Sequence, residues 1–485
     1  MGISLNPSTI LSGQGIDVSS IVQQIIADQS GQLSVWQGEQ TTFATQDGLL
    51  EGINNNLTNL QTAVAALADP TGALAAQAAT SSQPGIVTAT AQSGAVAATH
   101  QIEVTSLATA GTLYTDPIAA GADASFLATG QTSGDLQLQV GGASGTVHDI
   151  AITQGSNDTL NTLASYINTQ STANNWGVTA SVVSDVNGSR LALFSQSTGT
   201  SGALAIVNNS NTTLNFDTPV GGANAALTID GVPFSSSSNT VTGAIQGVTL
   251  SLVSQSPGNP VQLTVGPDTS QITNAVNNFV SAYNTVVSTI NTQYVVDPTG
   301  ATPPPPLEAD ISLRSLQSRI LTDASYAIGG NGGLVNLASL GINLNNDGTL
   351  TVGSTPAPNS QTFAQVLAAN PSAVLNFFQN ASGTGFANNF NTDLTSLTDP
   401  TLGPLNVDLT QNQAEQTDLT ATITNFQTQL TAEQTQLTSQ YDAVNASLQS
   451  YPLLLQEITE TLGSLGTLDT NSSSSSTNPT LTSGL

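Results

Sequence analysis

Apolar residues recur along this chain with two different periods, and the switch between them divides it. From Asp17, placed as a helix N-cap, Ile21 and Ile25 begin a stripe that continues in steps of seven at Trp36, Phe43, Leu50, Leu57 and Val64. Ile53, Leu60 and Leu67 fill a second seam position three residues on. A step of seven sustained this long predicts a coiled-coil helix, and Asp69-Pro70 predicts its end, because a proline drives the residue before it out of the helical region. At the other end Leu409, Ile423, Leu430, Leu437, Val444 and Tyr451 keep the same step, with Gln416 interrupting, and Leu419, Phe426 and Leu448 widen the stripe.

Between residues 78 and 267 the period is two: Ile102/Val104, Leu136/Leu138/Val140, Leu191/Leu193, Leu227/Ile229, Val248/Leu250/Leu252 and Val261/Leu263/Val265 read as strands, separated by Gly/Ser/Asn/Asp clusters. One helix interrupts them, with Asp158 as cap and Leu160, Leu163 and Ile167 as its buried face. After Asp268-Thr269 the helical period returns through Ile272, Val276, Phe279, Tyr283, Val286 and Ile290. Pro303 to Pro306 reads as a stiff connector, Ile311 to Leu321 as a further helix, and Asn370-Pro371 as an N-cap with proline in the first turn. Asp347-Gly348 between Ile342 and Leu350-Val352 predicts a hairpin, and residues 471–485, with five serines in a row, a flexible tail. Helical ends enclose a β middle, so the predicted fold is α+β and multidomain. At roughly 150 residues per domain, 485 residues make about three.

The C-terminal stripe needs a partner. Nine threonines lie in it, at 410, 417, 420, 422, 424, 428, 431, 435 and 438. Each weakens a helix by ~0.5 kcal/mol relative to alanine. Burying seven seam residues at about 2 kcal/mol each outweighs that deficit, but only where something covers them.

Charge removes whole classes of function. The chain has 31 acidic residues against three basic ones, Arg190, Arg314 and Arg319, for a net charge of −28, and no lysine. Counterion-release binding to nucleic acid and attraction to anionic lipid both need cation clusters, so neither partner is expected. Without lysine there is no P-loop and no Schiff-base enzyme. Without cysteine there is no disulfide framework and no thiolate metal site. The N-terminus lacks a basic region followed by a continuous apolar run, and no stretch approaches 18 apolar residues, so neither Sec targeting nor membrane insertion is expected.

Candidate chemistry is thin. His100 and His148 alone could act as neutral-pH bases, and neither has a nucleophile at a recognisable spacing. Residues 343–348 lack the first aspartate of a calcium loop and place Ser354 where its glutamate belongs. Glu51, Glu308, Glu457 and Glu460 could supply a glycosidase pair only if folding brought carboxylates together. Gly329 to Gly333 has the composition of a phosphate loop without its lysine and reads as a flexible bend, and Arg314 and Arg319 as local partners of carboxylates or helix carbonyls. No catalytic residue, cofactor or metal is expected.

Several motifs in order resemble the bacterial flagellar filament cap family, also called hook-associated protein 2. They are Gly13-Gln14-Gly15-Ile16-Asp17 followed by Ile21-Val22, then Gln101-Ile102-Glu103-Val104 leading to Leu107-Ala108. Most specific is Leu227-Thr228-Ile229-Asp230-Gly231 followed by Ser238-Asn239 and Ile245-Gln246-Gly247-Val248-Thr249-Leu250. Phe279-Val280 with Ala282-Tyr283-Asn284, Leu307-Glu308-Ala309-Asp310, Leu340-Gly341-Ile342 with Asp347-Gly348-Thr349-Leu350, and Gln440-Tyr441 continue the match.

The resemblance implies a secreted, non-enzymatic structural protein, exported through the flagellar type III apparatus and seated at the flagellum tip. It implies a homo-oligomeric ring of about five copies that promotes flagellin folding and addition. Its implied partners are flagellin, hook–filament junction proteins and an export chaperone. The implied architecture is a terminal coiled-coil leg and helical stem with two nested β-rich head domains. Its segments are an N-terminal leg 1–40, stem 41–77 and 268–400, base head 78–110 and 223–267, inserted outer head 111–222, and C-terminal coiled-coil leg 401–470 before the tail. The oligomer and filament interface is expected at Trp36, Phe43, Leu50, Leu57, Val64, Leu409, Leu419, Ile423, Phe426, Leu430, Leu437, Val444, Leu448 and Tyr451. Cap proteins ordinarily carry basic residues in the terminal coiled coil and this chain has none there, so Thr, Gln and Asn hydrogen bonds are expected in place of ion pairs. The rival readings are a flagellin-like filament subunit, an adhesin, or a secreted glycosidase.

Overall fold

A computed structural model describes residues 16–295, 297–353 and 361–468. Gly13 to Gly15 of the opening motif and the serine-rich tail fall outside the described residues. Nine α-helices form among those described: α1 (Val18–Gln29), α2 (Gly31–Ala68), α3 (Leu160–Asn174), α4 (Thr269–Thr292), α5 (Ile311–Ala324), α6 (Phe363–Ala369), α7 (Pro371–Phe378), α8 (Phe386–Leu397) and α9 (Pro404–Leu468). The helices follow the stripes. Asp17 caps α1 by accepting from Ser20 N at 3.0 Å, and Asp268 caps α4 by accepting from Ser270 N and Gln271 N, both at 3.0 Å. Ile272, Val276, Phe279, Tyr283, Val286 and Ile290 are all buried along α4. At α3 the cap sits one residue later than Asp158. Thr159 exchanges hydrogen bonds with Thr162, and Asp158 instead accepts from Gly155 N at 3.0 Å. Asn370 precedes α7 as expected, with Pro371 in the first turn, but its side chain makes no capping bond.

Helix ends share a device that the sequence writes three times, Asp-Pro-Thr at residues 69–71, 297–299 and 399–401. Proline prevents another helical turn, and the aspartate then turns back onto the following backbone. Asp69 accepts from Thr71 N and Thr71 Oγ1, both at 2.8 Å, just past α2. Asp399 accepts from Thr401 N and Leu402 N at 2.8 and 2.7 Å, between α8 and α9. Asp297, beyond α4, takes five donors: Thr299 N, Thr299 Oγ1, Ala301 N, Thr302 N and Thr302 Oγ1. Those hydrogen bonds, the Thr299 hydroxyl first, hold its carboxyl down to about 2 from 3.8. A folded value below the unfolded one means that the loop's contribution is complete above about pH 4 and is lost as pH falls through about 2. The amide shifts of Thr299 and Thr302 are therefore expected to titrate with a midpoint near 2. A midpoint near 3.8 would show that these donors do not hold the carboxylate.

One compact unit draws on Met1–Thr58, Thr285–Ile320 and Leu394–Leu485, and a second on Asn59–Asn284 and Leu321–Asp393. The second contains two separate β-rich cores. In the first, β1 (Gln77–Ser81), β3 (Ala98–Ser106), β10 (Ala225–Ile229), β11 (Val232–Ser236) and β14 (Val261–Pro267) form an antiparallel sheet in the order β1-β14-β3-β10-β11. A second sheet has the order β12-β13-β2, from β2 (Val87–Ala91), β12 (Thr240–Ile245) and β13 (Val248–Leu252). Val87, Ile102, Val104, Leu227, Val241, Leu250 and Leu263 fill the core of these sheets. The other core lies wholly within residues 113–214. Its sheets are β4-β8-β7 and β6-β5-β9, from β4 (Ala110–Tyr114), β5 (Ser133–Val140), β6 (Thr146–Thr153), β7 (Val178–Asp185), β8 (Gly188–Thr198) and β9 (Leu204–Ser210). Here α3 buries Leu160, Leu163 and Ile167 against Leu136, Leu138, Leu191 and Leu193. The predicted Asp347-Gly348 hairpin is present as β15 (Ile342–Leu344) paired with β16 (Leu350–Val352).

Candidate functional site

The two chain ends meet as antiparallel helices. Ile16 N donates to Asn445 Oδ1 (2.8 Å), Gln29 Nε2 to Glu433 Oε1 (2.8 Å), Gln40 Nε2 to Thr420 Oγ1 (2.9 Å), Gln416 Nε2 to Asp47 Oδ2 (2.6 Å) and Asn54 Nδ2 to Asn406 Oδ1 (3.1 Å). From Ile16 to Asn54 the chain advances 38 residues while the partner position moves back 39, from Asn445 to Asn406, which is the signature of one continuous pairing. Every side chain in these contacts is an amide, a hydroxyl or a carboxylate, as the lack of basic residues in these helices requires. Gln416, the polar residue that breaks the apolar repeat, lies where Asp47 can take its amide hydrogen.

The threonines of α9 settle their own hydrogen bonding. All nine singled out in its sequence donate Oγ1 to the carbonyl four residues back, from Thr410 to Asn406 O through Thr438 to Gln434 O. That satisfies the hydroxyls but adds nothing to the contact between helices. Cohesion between the ends falls to the apolar seam and the few amide bonds across it.

The predicted interface residues separate by position. Leu50, Leu57 and Val64 of α2 are fully buried, and Leu409, Ile423 and Leu430 of α9 nearly so. Trp36 and Phe426, half-buried, meet edge to face with ring centroids 5.3 Å apart, a geometry worth about 0.5–1.5 kcal/mol beyond area burial. Phe43, Leu419, Leu437 and Leu448 are also half-buried. Val444 and Tyr451 are exposed, at 49% and 63%. Beyond them Leu453, Leu454, Leu455, Ile458 and Leu462 are exposed as well, five residues absent from the expected interface. The signal for three of them is in the sequence. Alternating steps of four and three carry the stripe from Val444 through Leu448 and Tyr451 to Leu455, Ile458 and Leu462, straight through Pro452, which lies inside the helix.

The residues weighed for chemistry have structural partners. His100 Nδ1 lies 2.7 Å from Asp230 Oδ2, and Asp230 Oδ1 accepts from Gln101 N at 2.8 Å. The Gln101 amide and the His100 contact hold the Asp230 carboxyl below its ordinary value. Asp230 and Gly231 both take positive φ, 53° and 79°, as the two-residue turn joining β10 to β11 demands. This explains the most specific motif: a tight hairpin whose aspartate pins the neighbouring strand. Asn239 of the same motif clasps Ala108, accepting from its N at 2.7 Å and donating to its O at 3.0 Å. His148 stacks on Trp176 at 4.6 Å, where burial pushes its pKa down. Arg314 donates to Glu308 O at 2.9 Å and lies over the Tyr294 ring, and Arg190 donates to Thr115 O at 3.3 Å. The Gly329–Gly333 bend is tied down rather than loose, since Asn331 Nδ2 donates to Leu334 O and Ala373 O and Ile328 N reaches Val335 O. Glu51, Glu457 and Glu460 are exposed on α2 and α9. Among the described residues no three His, Asp or Glu side chains are grouped to hold a metal ion, and no helix is long and apolar enough to cross a membrane.

Comparison with known proteins agrees with this geometry. Residues 14–111 match the family description "Flagellar hook-associated protein 2 N-terminus" and residues 222–451 match "Flagellar hook-associated protein 2 C-terminus". Between them, residues 135–197 match "Flagellin hook IN motif", which covers β5 to β8. The B-type flagellar hook-associated protein 2 of Pseudomonas aeruginosa is 32% identical over 366 residues, 69% of this chain and 74% of the relative. The flagellar hook-associated protein 2 of Escherichia coli K12 is 26% identical over 342 residues, 66% of this chain and 70% of the relative. A crystal structure of the D1-D2-D3 domains of the flagellar cap protein FliD from Escherichia coli superposes with a TM-score of 0.54 at 25% identity, covering 75% of this chain and 99% of that one. The two family matches and the 32% identity to the Pseudomonas relative place it: the chain belongs to the flagellar hook-associated protein 2 family.

Proposed function

We propose that this protein caps the distal tip of the flagellar filament, where about five copies close into a ring that holds exported flagellin while it folds and adds beneath. Membership of the family and likeness to a solved flagellar cap protein support the site of action. The observation that carries the mechanism is the seam between the chain ends. It is closed around Leu50, Leu57 and Leu430, half-open around Trp36, Phe426, Leu437 and Leu448, and open at Val444 and from Tyr451 to Leu462. A helix rich in threonine with an uncovered apolar face gains most when a neighbour covers it, so ordering of the leg is coupled to assembly. The two β-rich modules serve as the head, and the protein acts by binding, without bond chemistry. It reaches the tip through the flagellar export channel.

Negative-stain microscopy of the purified protein, together with motility in a strain lacking its own cap, tests this. Small closed rings and restored swimming are expected. Long helical tubes would make it a filament subunit instead, and a monomer whose two ends are already protected from amide exchange and which ignores flagella would overturn the mechanism.

A further inference from the structure

The chain passes between its two β-rich cores twice, at residues 109–112 and 220–223, and there the two passages bond to each other. Thr109 N donates to Ala223 O (2.9 Å) and Ala223 N to Thr109 O (3.2 Å), while Thr112 N donates to Val220 O (2.9 Å) and Val220 N to Thr112 O (3.0 Å). The turn that follows β8 is inserted beside them. Gly199 N donates to Thr109 O at 3.0 Å, and the same turn engages the module built on β10 and β11. Thr198 Oγ1 donates to Ser237 O at 2.6 Å and Thr200 N to Asn224 Oδ1 at 2.9 Å, with the Asn224 amide donating in turn to Ser235 Oγ at 3.3 Å.

Glycine makes this approach possible. A Cβ on Gly111 would overlap Gly202 O, and one on Gly222 would overlap Gly199 O. A Cβ on Gly199, whose φ is +78°, would lie 2.7 Å from both Asn224 Oδ1 and Ser237 Cα. At Gly111 and Gly222, therefore, backbone meets backbone, with no side chain between to yield.

We propose that Gly111, Gly199, Gly202 and Gly222 form a locking joint that makes the two β-rich modules one rigid body. A hinge places its φ/ψ change in a few residues free of other commitments. Here both passages are committed to each other and to the inserted turn, so a rotation of one module would break several hydrogen bonds together and drive carbonyl oxygens into neighbouring Cα atoms. Close packing without slack moves as a unit. Glycine, usually a source of flexibility, here removes it, because the missing Cβ is what lets three backbone segments touch. A displacement applied to one module is carried to the other undiminished.

The test uses the full chain, which has no cysteine of its own. Spin labels at Val96→Cys and Val186→Cys, exposed positions in the two modules, report the distance between them in protein diluted with unlabelled chain. The expected distribution is single and as narrow as that of a pair confined to one module, Val147→Cys with Val186→Cys. A broad or multi-peaked distribution would overturn the proposal. Gly222→Ala is expected to widen the distribution at least twofold while the melting of each core is kept. Gly222 does not have positive φ, so the added methyl acts at the joint alone. Should that variant fail to fold, Asn224→Ala removes the Thr200 N bond without adding volume, and the same broadening is expected. An unchanged width in a folded variant would overturn the joint.

Discussion

Replacing Leu430 and Leu437 together by aspartate is expected to abolish capping while both β-rich cores stay folded. Leu430 is buried in the seam of α9 and Leu437 half-buried one heptad on. Removing a buried leucine side chain costs about 2–5 kcal/mol, and a carboxylate in its place must also be desolvated or draw water into the seam. Nothing nearby can neutralise it, because α1, α2 and α9 contain no basic residue. The remaining contacts are amide and hydroxyl bonds of about 1 kcal/mol each, too weak to hold a helix in which nine threonines oppose helix formation. The β-rich cores should be unaffected, since they are built from residues 87–108, 113–214 and 225–265 of the other compact unit. Swimming halos of a complemented strain and the near-ultraviolet dichroism of the purified variant read the two halves of this expectation. Normal swimming with the double variant would show that assembly does not depend on the seam.

How much of this was readable beforehand depended on contrast between neighbouring residues. The stripe of α2 was readable because Leu57 and Leu60 stand among asparagine, threonine and glutamine, and β3, β5, β8, β10, β13 and β14 because aliphatic and polar positions alternate. Strands β1 (QAATS) and β2 (VTATA) were not, since alanine and threonine differ too little in hydropathy to mark an inward face. Periodicity shows that Val444 and Tyr451 continue a stripe but cannot show that the stripe there is uncovered. That depends on what the fold places opposite it. The Asp230 motif was recognisable as a pattern, yet its reason, an aspartate reaching His100 and Gln101 across 130 and 129 residues, exists only in the fold. The glycines of the joint were least readable of all. Gly111 and Gly222 resemble any turn glycine until Gly199 and Gly202 are seen against them.

Phe386→Ala is expected to be the most damaging single substitution in the helical part of the second unit. Phe386 is fully buried and its ring meets four others: Phe377 stacked at 5.3 Å, Phe279 at 5.7 Å, Phe390 at 5.8 Å and Phe378 at 6.0 Å, the last three edge to face. Three helices, α4, α7 and α8, therefore converge on one side chain. Truncating a core phenylalanine costs about 3–5 kcal/mol, and losing several edge-to-face contacts at once places this site at the upper end of that range. The cavity would be apolar and dry, so water could not fill it. Phe386→Leu, which keeps much of the volume, should recover more than half of the loss. The β-rich cores contain none of these rings, so thermal unfolding followed by tyrosine and tryptophan signals should split. Tyr283, on α4 and 6.1 Å from Phe279, would report early melting, whereas Trp176, packed against the core within residues 113–214, would keep its transition. A single unshifted transition for both reporters would show that the aromatic cluster does not hold these helices together.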